Sequence, residues 1–377
     1  MPTVAECLRR HALEYLAKFG EKVPLVHRKV LSAATRCRTG ELGSLLYRCD
    51  DCGCRHWVGR SCGNRHCPTC GRDKANRWLE KQAGRLLPVH HFLVTFTVPD
   101  QLRWLLRGNQ REGYAALFAA GSETITALAD RSKYLAGCTL GFFGVLHTWG
   151  RDPTVYHPHV HFVVPGGGVN ADRSAWQSTP CNFLFPHAAA ITVYRAKLAD
   201  ELRRRGLYDD APREAWQQKF VVDLKPVGDG RAVLKYLAPY VNRVAISDNR
   251  IVACDERTVT FRYTPSGTQR AKLRTVTGEQ FIRGFLQHTL PHGLQKIRYY
   301  GWLSPNHRIG FDEVKWLVWL YLGWMYWIAS GHVPQAKPVE ARPVSCAECG
   351  GSMRLAAMLH SPCRTLLEHS LVYLDSG

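Results

Sequence analysis

The stretch Gly141-Phe-Phe-Gly-Val-Leu-His-Thr-Trp-Gly-Arg-Asp-Pro-Thr-Val-Tyr-His-Pro-His-Val-His-Phe-Val-Val-Pro-Gly-Gly-Gly-Val169 places the imidazoles of His159 and His161 on either side of one valine. Phe162, Val163 and Val164 favour a strand, and Pro165 with three glycines ends it. Side chains alternate along a strand, so His159 and His161 share one face while Val160, Phe162 and Val164 share the other, which a core can cover. Two neutral imidazoles on one face make half a coordination sphere. Taken alone, the same pattern also fits two ordinary polar-face histidines.

Outside this stretch, charge is the strongest signal. Lys plus Arg number 50 against 31 Asp plus Glu in 377 residues, a formal charge of +19. Such an excess calls for a polyanion, nucleic acid before a membrane surface. The apolar and charged fractions are those of a globular protein with a substantial core, and the length leaves room for two or three domains. No apolar signal core opens the chain, so a cytoplasmic location is expected.

Fourteen cysteines in a reducing compartment point to metal ligands rather than disulfides. Cys49-x-x-Cys52 and Cys67-x-x-Cys70 are two knuckles separated by a short loop, which suits one tetrahedral zinc. Cys37, Cys62 and His66 would supply a second zinc site, with free buried thiols the competing reading. Arg55, Arg60, Arg65, Arg72, Lys74 and Arg77 line this ribbon and are expected to contact DNA. Cys346-x-x-Cys349 begins a tail in which His360 or Cys363 could complete a further site.

Between these landmarks, hydropathy periods predict helices over 6–18, 26–35, 111–135 and 187–205, with strands at 91–99, 220–224 and 296–300 and a hairpin at 251–263. Strands interspersed with helices without regular βαβ spacing favour an α+β fold. Tyr236 and Tyr240, four apart, share a helix face. Pro239 implies a helix that either starts there or bends between the tyrosines. The apolar run 316–329 is too short to span a bilayer and reads as a buried helix.

Together, His-x-His on a strand, Tyr236-x-x-x-Tyr240, and the cysteine cluster ending Ser61-Cys-Gly-Asn-Arg-His-Cys-Pro-Thr-Cys70 resemble the insertion-sequence 91 family of rolling-circle transposases, members of the HUH (His-hydrophobic-His) endonucleases. Leu146-His-Thr-Trp-Gly150, Pro165-Gly-Gly-Gly168, Phe281-Ile-Arg-Gly-Phe285 and Lys296-Ile-Arg-Tyr-Tyr-Gly301 extend the resemblance over roughly residues 30 to 310. Ala238-Pro239 stands where many members carry Gly-Arg.

The resemblance implies an HUH-type nuclease domain with a central antiparallel sheet flanked by helices (89–300). An N-terminal unit of helices and zinc ribbon (1–88) would precede it, and a C-terminal helical region (301–377) would follow. It further implies nicking of one DNA strand by Tyr236 or Tyr240 through a 5′-phosphotyrosine, on single-stranded or hairpin element ends, by a nucleoid-associated bacterial protein. Mg²⁺ or Mn²⁺ would sit on His159 and His161, and Zn²⁺ on the cysteines. His157 lies too far along the same strand to share an ion with His161, so His147, on a neighbouring strand, is the better third ligand. Lys235 and Arg243, flanking the tyrosines, are assigned to DNA. A replication initiator or relaxase of the same chemistry, and a zinc-ribbon regulator with an inactive nuclease domain, are the alternatives. No Gly-x-x-x-x-Gly-Lys-Ser/Thr loop is present for helicase activity.

Overall fold

A computed structural model of the chain describes residues 1–242, 246–265, 268, 270–326 and 345–360. Helix α1 (Val4–Phe19) opens with a capping box, in which the Glu6 N–H donates to Thr3 Oγ1 and the Thr3 N–H donates to the Glu6 carboxylate. It is followed by α2 (Leu25–Arg36), strands β1 (Ser44–Cys49) and β2 (Arg55–Gly59), and α3 (Gly71–Ala83). Then come β3 (His91–Thr97), α4 (Arg103–Gly108), α5 (Gln110–Asp130), β4 (Gly141–Trp149), β5 (Tyr156–Pro165), β6 (Gly167–Val169) and β7 (Trp176–Ser178). The second half carries α6 (His187–Arg204), β8 (Val222–Pro226), α7 (Arg231–Asn242), β9 (Ile251–Cys254), β10 (Thr258–Tyr263), β11 (Lys272–Thr277), α8 (Gly278–Leu286), β12 (Ile297–Gly301), α9 (Phe311–Leu322) and β13 (Met353–Leu359).

The centre is a five-stranded antiparallel sheet in the order β12-β4-β5-β3-β8. Strand alternation assigns its two faces. Phe92, Val94, Phe96, Val160, Phe162 and Val164 point to one side, against Tyr114, Phe118 and Ile125 of α5 and Tyr194 and Leu198 of α6. Each large apolar side chain buried there contributes about 1.5–3 kcal/mol. Two glycines permit the close approach. A Cβ on Gly121 of α5 would lie 2.5 Å from the Phe162 ring, and one on Gly144 of β4 would lie 2.7 Å from it.

Phe143, Val145 and Val163 take the opposite face and pack against Leu86 and against Val233, Leu234 and Leu237 of α7. The histidines of β4 and β5 share the parity of these residues, so they lie beneath the helix that carries the tyrosines. That helix runs from Arg231 to Asn242 and contains Pro239. It therefore does not begin at the proline. The missing Pro239 N–H removes one backbone hydrogen bond, which the packing of Leu234, Leu237 and Ala238 outweighs.

A second core joins α1 and α2 to α8 and to a small sheet, β11-β10-β9, through Leu8, Leu31, Val259, Phe261 and Phe281. The hairpin expected at 251–263 thus has a third strand. A further three-stranded sheet, β13-β1-β2, puts the C-terminal β13 beside β1 near the N-terminus. Helix α9 departs from the buried helix expected of its sequence. Val314, Leu317 and Val318 are buried, whereas Trp316, Leu320, Tyr321 and Trp324 are exposed; residues 327–329 of the expected helix lie outside the described residues.

Candidate active site and cysteine clusters

Antiparallel pairing of β4 and β5 sets His147 opposite His159, and His161 follows two residues along the same face. One ring nitrogen from each of the three lies within 4.8 Å of the others. All three are buried, and burial, followed by the neighbouring imidazoles, drives the pKa of each down; that of His159 falls to about 3. They are therefore neutral at physiological pH, the form that ligates metals.

Neighbouring groups orient the rings. His159 Nδ1–H donates to the His157 carbonyl at 2.8 Å, which leaves Nε2 as a lone pair. His161 Nδ1 meets the Thr95 hydroxyl at 2.7 Å, and Thr95 is the cross-strand partner of His161 on β3. With Nδ1–H donating, His161 Nε2 also presents a lone pair, and this buried atom has no hydrogen-bond partner among the described residues. Three convergent neutral nitrogens, one of them buried and unpaired, fit a divalent cation. His157 itself accepts from Arg103 Nη2 at 2.7 Å through Nδ1.

Tyr236 stands over this set, its ring centroid 6.0 Å from that of His161 and the rings nearly perpendicular. A cleft of about 520 Å³ is lined by Thr95, His147, His159, Tyr236 and Trp149, with Arg151, Arg250 and Arg262 on its far wall. The wall is braced internally: Arg151 Nη1 donates to the Pro265 carbonyl, and Arg250 donates to those of Arg262 and Arg151. Lys296, its amine 4.8 Å over the Trp149 ring, is pushed down to about 7 by burial and then by Arg65. Tyr240 lies on α7 one turn beyond Tyr236. Arg243 lies outside the described residues, as do the side chains of Tyr240, Arg72 and Lys74. Thr95, His157, Arg103 and Lys296 carry no motif of their own; only β3 pairing in register with β5 could have pointed to Thr95.

The cysteines group differently from the expectation. Cys49 and Cys52 do not share a site with Cys67 and Cys70. One cluster is Cys37, Cys62, Cys67 and Cys70; the other is Cys49, Cys52, Cys346 and Cys349. The first knuckle forms the turn of the β1–β2 hairpin, and β2 runs away from it toward Cys62, Cys67 and Cys70, so the two knuckles lie at opposite ends of β2 and each joins a different pair. His66 is not among the ligands. It is buried, and its Nε2 accepts from the Leu290 N–H at 3.0 Å, as its pKa, lowered to about 3 chiefly by burial, allows. Arg65 is likewise turned inward, donating to the Leu294 and Pro291 carbonyls at 2.7 and 2.8 Å. Both residues fasten the ribbon to the segment between α8 and β12.

Arg55, Arg77 and Lys235 are exposed and Arg60 is half-buried. The register adds two basic residues that were not singled out. Arg48 pairs with Arg55 on one side and Arg354 on the other, a row of three guanidinium groups across β2, β1 and β13. Arg354 also holds an ion pair with Asp50 at 2.9 Å.

A cysteine-bound module beside an antiparallel sheet with a histidine cluster and a tyrosine helix defines a two-part DNA-processing protein, and comparison with known proteins is specific. Residues 7–98 match a family model described as "Transposase zinc-binding domain", and residues 141–308 match one described as "Putative transposase". The chain is 35% identical over 327 residues to "Putative transposase y4qJ" of Sinorhizobium fredii, covering 81% of each. It is 29% identical over 289 residues to "Transposase for insertion sequence element IS801" of Pseudomonas savastanoi pv. phaseolicola, covering 71% of this chain and 68% of the relative. No solved structure matches. The chain belongs to the insertion-sequence 91 family of transposases, and so to enzymes that cut and rejoin DNA. No described helix is long and apolar enough to cross a membrane.

Proposed function

We propose that this transposase moves its element by rolling-circle strand transfer, nicking one DNA strand with Tyr236 to form a 5′-phosphotyrosine. The observation that carries this reading is the convergence of three neutral imidazoles with the Tyr236 ring in one cleft. His147, His159 and His161 would hold Mg²⁺ or Mn²⁺, their nitrogen donors leaning toward Mn²⁺. When bound, that ion supplies Lewis-acid polarisation of the scissile phosphate.

The chain's own groups do the rest. The His157 carbonyl fixes the tautomer of His159, and the Thr95 hydroxyl holds the ring plane of His161. Tyr236 Oη forms the new bond to phosphorus, the P–O3′ bond breaks, and the phenolic proton ends on the departing 3′-oxygen. The phosphodiester energy is kept in the tyrosyl ester, so a later 3′-hydroxyl can reverse the step without ATP. Tyr240, one helical turn away, is assigned the second transfer. Tyr263, half-buried in the cleft, offers a π-face for an unstacked base, which favours single-stranded or hairpin ends. The Cys37, Cys62, Cys67 and Cys70 cluster is assigned the zinc ion of the zinc-binding domain, and the Arg55, Arg48 and Arg354 row a phosphate contact. Like charges set side by side on a sheet repel unless an anion intervenes.

The test is covalent trapping with Mn²⁺ on labelled single-stranded element-end DNA. Wild type is expected to give a denaturation-resistant adduct that is lost in Tyr236→Phe/Tyr240→Phe and in His159→Ala/His161→Ala. The single tyrosine variants assign the order of attack. Tight end binding with no adduct in wild type would make the chain a DNA-binding regulator instead, and adducts confined to fully paired duplex would overturn the single-strand assignment.

A further inference from the structure

The tail knuckle Cys346-x-x-Cys349 lies outside both segments that match transposase domains, 7–98 and 141–308. Its sulfurs nevertheless meet those of Cys49 and Cys52, residues about 300 positions earlier: Cys49 Sγ is 3.5 Å from Cys349 Sγ, and Cys52 Sγ is 3.7 Å from Cys346 Sγ. All four are free of disulfides. A tetrahedral ion with Zn–S bonds of about 2.3 Å sets its sulfurs roughly 3.8 Å apart, close to this spacing.

The two knuckles also share a backbone design. Cys49-Asp-Asp-Cys-Gly53 and Cys346-Ala-Glu-Cys-Gly350 each end on a glycine at positive φ, +71° and +75°. In each, that glycine's N–H donates to the carbonyl of the first cysteine, at 3.2 Å in Gly53 and 2.9 Å in Gly350. Each turn thereby aims both its sulfurs at one point, and the two turns face each other where β13 pairs with β1. Two further groups approach the sulfurs: the Gly351 N–H donates to Cys349 Sγ at 3.4 Å, and His56 Nε2, a donor in its Nε2–H tautomer, lies 3.5 Å from Cys346 Sγ. Such donors stabilise thiolate, the form that binds zinc. Among the described residues, the group that gathers ligand atoms within 4.8 Å of one another at these knuckles is the four cysteines.

We propose that Cys49, Cys52, Cys346 and Cys349 hold a second zinc ion, separate from the one assigned to the zinc-binding domain, and that this ion fastens the C-terminal strand β13 to β1. The site is a zinc ribbon assembled from the two ends of the chain. Its function is structural: it completes the sheet that presents Arg48, Arg55 and Arg354 together.

The test uses the full chain purified with zinc and freed of loose metal. Elemental analysis is expected to give two zinc ions per chain, falling to one in Cys346→Ser/Cys349→Ser. One ion in wild type, or two retained in the variant, would overturn the site. Alkylation mapping of the unaltered protein gives a second readout that does not depend on the variant folding. Cys52, Cys349 and Cys181 are all exposed. In zinc-loaded protein Cys181 should react with iodoacetamide while Cys52 and Cys349 are protected, and a strong chelator should make all three react. Cys52 and Cys349 reacting as fast as Cys181 before chelation would refute the assignment.

Discussion

His66 and Thr95 illustrate how one side chain can support a site without being part of it. His66 sits among cysteines in sequence, yet its ring accepts from the Leu290 N–H. His66→Ala would strand that buried N–H, at about 1–3 kcal/mol, and leave zinc content unchanged; loss of one zinc ion would make it a ligand after all. The substitution also has a pH signature. The folded pKa of about 3 lies below the ordinary 6.5, so between these values the unfolded chain binds the additional proton. The stability tied to neutral His66 is therefore complete above pH 6.5 and is lost as pH falls toward 3. Urea midpoints at pH 7 and pH 5 should converge in His66→Ala relative to wild type. Thr95→Val removes the hydroxyl that orients His161, and Mn²⁺ affinity is expected to drop about 10–100-fold, measured by calorimetric titration; unchanged affinity would show that the ring needs no such support.

Much of the central sheet was legible because strand parity is a local property. The alternation at 159–164 gave the histidine face and the core face, and both hold: Val160, Phe162 and Val164 meet α5 and α6, and the histidines look the other way. β11 was not legible, since Lys272-Leu-Arg-Thr-Val-Thr277 is largely exposed and its period carries little apolar contrast. The start of α7 stayed open in the sequence because a proline fits both a helix start and a helix interior that packing supports; the helix begins well before it, at Arg231. The cysteine partnering was hidden for a different reason: ligands some 300 positions apart share no window in which spacing could be read. Packing at the α5–β5 contact can be tested directly. Gly121→Ala pushes a methyl into the buried Phe162 ring and should cost about 1–3 kcal/mol by overpacking. Gly108→Ala, with nothing within 4 Å of its new methyl, should leave the urea midpoint near wild type. Equal effects at the two sites would mean that the sheet yields to the methyl.

The net charge of +19 acts over the entire molecule. Affinity for element-end DNA should fall linearly on a log–log plot against salt, with a slope of about 0.7 per phosphate contacted on a single strand and about 0.9 on duplex. Arg48→Ala should reduce that slope by about 1 if the arginine row contacts phosphate; an unchanged slope would remove the row from the DNA surface. The N-terminal helices share a core with α8 and the sheet β11-β10-β9, and β13 returns to β1, so packing links segments on either side of residues 88 and 300. The return of β13 also sets an order in time. Ribosomes add roughly 5–20 residues per second, so Cys49 and Cys52 wait about 15–60 s for the partners that lie some 300 residues behind them. Through that interval the strands of the central sheet can already be folding, while Cys49 and Cys52 remain without the partner knuckle. A translating chain therefore has every strand of the central sheet out of the ribosome before its arginine row is whole, and an interrupted message releases a three-stranded sheet without its β13 edge.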